Sequence, residues 1–121
     1  MLKKDGLLVL LTPNAASYGH RMFGATWRGL EPPRHLHLFT CKTLIQISQK
    51  AGFKHHHCRT TPVSAFTIGQ SSLPSSETAK GEGQLMTTRD VSRGFWFQLT
   101  ASLTFLTDKA SGEECVLIAT K

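Results

Sequence analysis

Two histidines, His35 and His37, stand two residues apart in the run Glu31-Pro32-Pro33-Arg34-His35-Leu36-His37-Leu38-Phe39-Thr40. In an extended segment, side chains two apart point the same way. Histidine titrates near neutrality and can take a proton from an acceptor hydroxyl. Arg34 beside them suits a carboxylate or phosphate, and Trp27 upstream offers an apolar wall. The competing reading is that the histidines brace the loop through backbone hydrogen bonds and that Trp27 packs. His20 is expected at the surface. The run His55-His56-His57-Cys58 invites a zinc reading. On a strand, however, only alternate residues cooperate, and no second His/Cys pair has a useful spacing.

These residues need a scaffold. Asp5-Gly6 is a turn into the apolar run Leu7–Leu11, which Pro13 ends and Asn14 follows. Without polar alternation the run reads as a strand buried on both faces. In open α/β sheets ligands bind at the carboxyl ends of such strands, which puts Asn14 and the loop to Phe39 at the candidate site. A short helix is expected over residues 16–23. Thr40 is a good N-cap for a helix over 41–51, with Leu44, Ile47 and Ser48 on one face. Gly52 suits the left-handed position that ends it, and residues 53–61 read as a second strand. Residues 64–84 are rich in Ser and Gly and read as a flexible connection. Asp90 is expected to cap a helix from Val91 to Leu106 with Phe95, Leu99, Ser102 and Leu106 on its apolar face, broadened by Trp96, Phe97, Leu103 and Phe105. Glu114 to Lys121 reads as a last strand, with Cys115, Leu117 and Ala119 facing one way.

The domain reading is therefore a strand-loop-helix-strand unit over 1–62, a connection over 63–88, and a helix with a last strand over 89–121. All belong to an α/β fold.

Composition narrows the classes. The chain has 121 residues, 40% hydrophobic and 18% charged, which is globular rather than disordered. The net charge is +6, but the fourteen Lys and Arg are scattered, Lys3-Lys4 being the only adjacent pair. No nucleic-acid partner is expected, because no strand interleaves aromatic and basic residues. No apolar run approaches the ~18 residues of a membrane span. Cys41, Cys58 and Cys115 are odd in number and far apart, so reduced thiols and a cytoplasmic setting are expected.

The segment Leu2-Lys3-Lys4-Asp5-Gly6-Leu7-Leu8-Val9-Leu10-Leu11-Thr12-Pro13-Asn14 resembles the fifth-strand region of class I S-adenosylmethionine-dependent methyltransferases. Gly19-His20-Arg21-Met22-Phe23-Gly24 and the stretch Trp27–Thr40 are similar to a small-molecule branch that includes ubiquinone-biosynthesis relatives. Ala51-Gly52-Phe53 and the closing Glu113–Lys121 strand fit as well. The resemblance implies a partial Rossmann-like sheet: the fifth and sixth strands, with an antiparallel seventh slotted between them. It implies S-adenosylmethionine as cofactor in the complete enzyme. The donor loop of that family is glycine-rich. Gly81-Glu82-Gly83 is the only Gly-x-Gly spacing, and it follows a Ser-rich stretch, so this chain alone is expected neither to bind the donor nor to be active. The implied role is acceptor-side, with Asn14, Trp27 and Arg34 contacting a small-molecule acceptor and His35 and His37 catalytic. The alternative is a non-catalytic interaction module of the same architecture, pairing with itself or another chain through an exposed strand edge.

Overall fold

The structure is a computed structural model that describes residues 3, 5–31, 33–72 and 88–121. Three strands, β1 (Leu7–Pro13), β2 (His55–Thr61) and β3 (Glu114–Thr120), form one sheet in the order β1-β3-β2. The last strand in sequence is the middle strand in space and runs antiparallel to both neighbours. That is the position the resemblance implies for a final strand. The helices are α1 (Tyr18–Phe23), α2 (Cys41–Lys50), α3 (Ala65–Ser71) and α4 (Thr88–Thr107), with two 3-10 turns at Gly24–Thr26 and Arg28–Leu30.

Strand register sorts the side chains into two faces. Cys115, Leu117 and Ala119 of β3 lie opposite Thr12, Leu10 and Leu8 of β1 and Thr60, Cys58 and His56 of β2. The three β3 residues are buried, because α2 packs over β2 and β3 and sets Leu44 against Cys115 and Leu117. Helix α2 begins as its sequence dictates. The Thr40 hydroxyl accepts the Thr43 N–H, and the Thr43 hydroxyl accepts the Thr40 N–H in return. Beyond its last turn Gly52 adopts φ +85°, which side chains rarely tolerate. Leu44 and Ser48 are buried, whereas Ile47 is half exposed, so the apolar stripe is narrower than its periodicity predicts.

The second core lies beyond the carboxyl end of β1. Trp27, Ala65, Ile68, Phe97 and Ala101 pack there, joined by Tyr18, Phe23, Leu30 and Leu38. Helices α3 and α4 meet through glycines: a Cβ on Gly69 would stand 2.5 Å from Phe97 Cβ. That close approach decides which side of α4 is covered. Gly94, Phe97 and Ala101 are buried, while Phe95, Leu99 and Leu106 are exposed, so of the predicted apolar face Phe97 is covered and its central stripe is not. Asp90 lies in the first turn of α4 rather than at its cap. Helix α3 occupies the start of the segment read as a flexible connection. The remainder of that segment, with Gly81-Glu82-Gly83, lies outside the described residues.

Burial of β1 on both faces is also corrected. Leu7, Val9 and Leu11 are 59%, 58% and 64% exposed. They share a face with Val116, Ile118, His55, His57 and Arg59, and among the described residues no helix packs on β1. Among the described residues the outer edge is open too. Asn14 N–H bonds Glu113 O, and Lys121 N–H bonds Gly6 O, so even-numbered residues of β1 turn toward β3. Leu7, Val9 and Leu11 therefore turn their backbone N–H and C=O groups outward.

The cysteines depart from expectation as well. Cys41, the first residue of α2, and Cys58 of β2 form a disulfide across 17 residues, while Cys115 is free and buried. Spacing alone could not show this, because α2 folds back onto β2 and sets the two Cα atoms 5.5 Å apart. No helix among the described residues is long and apolar enough to cross a membrane.

Candidate functional site

The site is built where β1 ends. Asn14 is 1% exposed and fully engaged. Its Nδ2 donates to Ala110 O at 2.8 Å and Gly112 O at 2.7 Å, and its Oδ1 accepts the Ala16 N–H at 3.1 Å. It clamps the β1 exit to the turn that leads into β3. Ser17 caps α1 by accepting the His20 N–H at 2.9 Å. His20 donates from Nδ1 to Ala15 O at 2.7 Å and stacks on Trp27 with ring centroids 4.7 Å apart. It is thus half-buried rather than at the surface as expected.

Glu113 lies at the centre of this framework, fully buried. Its Oε1 accepts the Gly19 N–H at 2.7 Å, and its Oε2 accepts Trp27 Nε1–H at 3.3 Å. Burial raises the pKa of the carboxyl above its ordinary value. Hydrogen bonds from Gly19, Ser17 and Trp27 and the charge of Arg21 act the other way without cancelling it. Trp27, 1% exposed, is therefore both a core side chain and a donor to this carboxylate.

Above Glu113 opens a cleft of about 330 Å³ between the end of β1 (Leu11, Thr12, Pro13) and the loop bearing Arg28, Glu31, Arg34 and His35. Glu113 and Glu114 also line it. Glu31 organises the loop. Its backbone sits at φ +28°, in the region that disfavours side chains. Its carboxylate meets Arg28 at 2.5 Å, Arg34 at 3.3 Å and His35 Nε2 at 3.6 Å. Glu114 is held by a hydrogen bond from the Ser64 hydroxyl.

Arg34 and His35 thus come together at one cleft. His37 does not join them. It is exposed, does not line the cleft, and has its ring 6.3 Å from Phe39. Asn14 and Trp27 lie behind the cleft wall as supports. Glu31 and Glu113 are the residues that sequence reasoning missed. Glu113 merely precedes a strand beside another carboxylate, and its partners Gly19 and Trp27 lie 94 and 86 residues away.

Residues 1–57 match the family model of a methyltransferase domain. The match runs from the lead-in to β1 through the cleft loop and α2 to the middle of β2. It supports a methyltransferase-like protein, and that family implies S-adenosylmethionine use in the complete enzyme. No curated protein and no solved structure matches the chain.

Proposed function

We propose that this chain is the acceptor-side, carboxyl-terminal portion of a class I methyltransferase domain acting on a small molecule. The observation that carries the reading is the strand order. An antiparallel last strand inserted between two earlier ones, with a polar cleft at the carboxyl end of β1, is what the resemblance implies for the fifth, seventh and sixth strands. The methyltransferase-domain match over the same β1–α2–β2 stretch supports it.

Among the described residues no glycine-rich loop follows an apolar strand, so these residues do not fit a donor site and no step is routed through the donor. What they supply is positioning and proton acceptance. Arg34 offers a guanidinium to an acidic group on the acceptor. His35 has Nε2 turned to Glu31, so proton acceptance falls to Nδ1. Orientation of this kind contributes up to roughly 7–11 kcal/mol and a general base about 10²–10⁴-fold. Calorimetric titration of the chain with S-adenosylmethionine is expected to give only heats of dilution. A micromolar site on this chain alone overturns the reading.

A second reading is a non-catalytic module that pairs with another chain. It is favoured by the open β1 edge and its exposed Leu7, Val9 and Leu11. It predicts a stable oligomer by light scattering that charged substitution of Val9 dissolves. A monomer at high concentration counts against it.

A further inference from the structure

The disulfide and the free thiol are not separate features. The Sγ atoms of Cys41, Cys58 and Cys115, one each from α2, β2 and β3, all lie within 4.8 Å of one another. We infer that, once its disulfide is reduced, this chain binds a thiophilic cation such as Zn²⁺ or Cu⁺ on these three sulfurs. The inference is independent of the methyltransferase reading.

Geometry comes first. Metal–sulfur bonds of about 2.3 Å place ligand sulfurs roughly 4 Å apart. With sulfurs already inside 4.8 Å, Cys115 needs to close by less than about 1 Å, while Cys41 and Cys58 separate from bonding distance to a similar spacing. Rotation of exposed χ angles on the half-buried Cys41 and Cys58 allows this without moving the sheet.

Chemistry and charge agree. Burial pushes the Cys115 thiol up to about 11, and the Cys41 N–H, at the amino end of a ten-residue helix, opposes this by donating to Cys115 Sγ. A helix amino terminus favours thiolate over thiol and stabilises an anionic metal–thiolate cluster. Cys41 and Cys58 line a cleft of about 870 Å³ with Lys109, which gives entry and compensating positive charge. Glu114 also lines that cleft, but Ser64 holds its carboxylate. Leu44 and Leu117 pack the inner side, so the donor set is sulfur and favours soft ions over Mg²⁺ or Ca²⁺. His55 and His57 lie on the opposite sheet face and take no part.

The chemistry balances in two steps. A dithiol reductant gives two electrons and two protons to the Cys41–Cys58 bond, forming two thiols and the reductant's own cyclic disulfide. A divalent ion then displaces three protons from three thiols and forms three metal–sulfur bonds, leaving a complex of net charge −1. Disulfide and metal are mutually exclusive, so the site is gated by redox state.

The test titrates the full chain with Cd²⁺, a spectroscopic stand-in for Zn²⁺, with and without prior reduction. Expected is a sulfur-to-cadmium charge-transfer band that saturates at one equivalent in the reduced chain and is absent from the oxidised chain. Cys115→Ser is expected to weaken binding at least tenfold with unchanged circular dichroism. Should that variant unfold, alkylation of the unmodified reduced chain decides, with Cd²⁺ expected to slow modification of Cys41 and Cys58 together by at least tenfold. No band in the reduced chain, an equal band in the oxidised chain, binding by Cys115→Ser within twofold of wild type, or unprotected Cys41 and Cys58 each overturns the proposal.

Discussion

The Gly19 backbone N–H donates to Glu113 Oε1 at 2.7 Å, joining the first helix to the residue before the last strand. The bond leaves no room for a side chain, because a Cβ on Gly19 would lie 2.5 Å from Glu113 Oε2. Gly19→Ala therefore pushes the carboxylate off its donors. It is expected to cost about 1–3 kcal/mol in urea unfolding. A change within a few tenths of a kcal/mol would mean that Glu113 moves freely.

Glu113 also sets a pH dependence. Its folded pKa is raised above the ordinary 4.5, so the folded state binds its proton more tightly than the unfolded state does. The stabilisation is complete below about pH 4.5 and is lost as pH rises through the folded value. Subtracting the melting profile of Glu113→Gln from that of wild type is expected to leave a term that falls with rising pH from 4.5 upward. A term that rises with pH contradicts the assignment.

Trp27→Phe removes the indole donor to Glu113 and part of the stack on His20. The buried carboxylate then loses one partner, at a cost of about 1–3 kcal/mol. In Glu113→Gln the same change is expected to cost less, and a double-mutant cycle measures the coupling directly. Strict additivity would show that the two side chains do not act on each other.

Reducing the Cys41–Cys58 bond frees a 17-residue span. Loop-closure entropy places the loss near 3 kcal/mol. Differential scanning calorimetry with and without a phosphine reductant is expected to show a clearly lower midpoint for the reduced chain, and coincident traces would refute it.

Glu31 is half-buried but both its arginines are more than half exposed, and ion pairs to such groups contribute about 0–1 kcal/mol each. Its own backbone is at positive φ. Glu31→Gly is accordingly expected to leave the melting temperature within a few degrees of wild type while freeing Arg28, Arg34 and His35. Nuclear magnetic resonance is expected to show the Arg28 and Arg34 guanidinium N–H signals exchanging faster with solvent once the carboxylate is lost. Unchanged guanidinium signals would show that Glu31 does not hold them.

Local chemistry marked most elements well. Thr40 and Gly52 bracket α2 because capping and left-handed backbone are decided within a few residues. The alternation of Cys115, Leu117 and Ala119 named the buried face of β3. Helix α3 was not legible, since Ala65–Ser71 carries no strong cap and its glycine is there to meet Phe97. The covered side of α4 was legible only at Phe97, for a related reason. Hydrophobicity favours Phe95 and Leu99, but close approach to α3 requires the small residues Gly94 and Ala101.

Sequence by itself determined the α/β class, the run of strand, loop, helix and strand, and the loop that carries Arg34 and His35, all of them properties of neighbouring residues. Tertiary structure alone decided that Glu113 is buried on Gly19 and Trp27, that Glu31 gathers Arg34 and His35 while His37 stays apart, and that three distant cysteines meet. Each of those contacts depends on where β3 enters the sheet, and a strand's neighbours are chosen by burial and pairing across the whole chain, which no local pattern records.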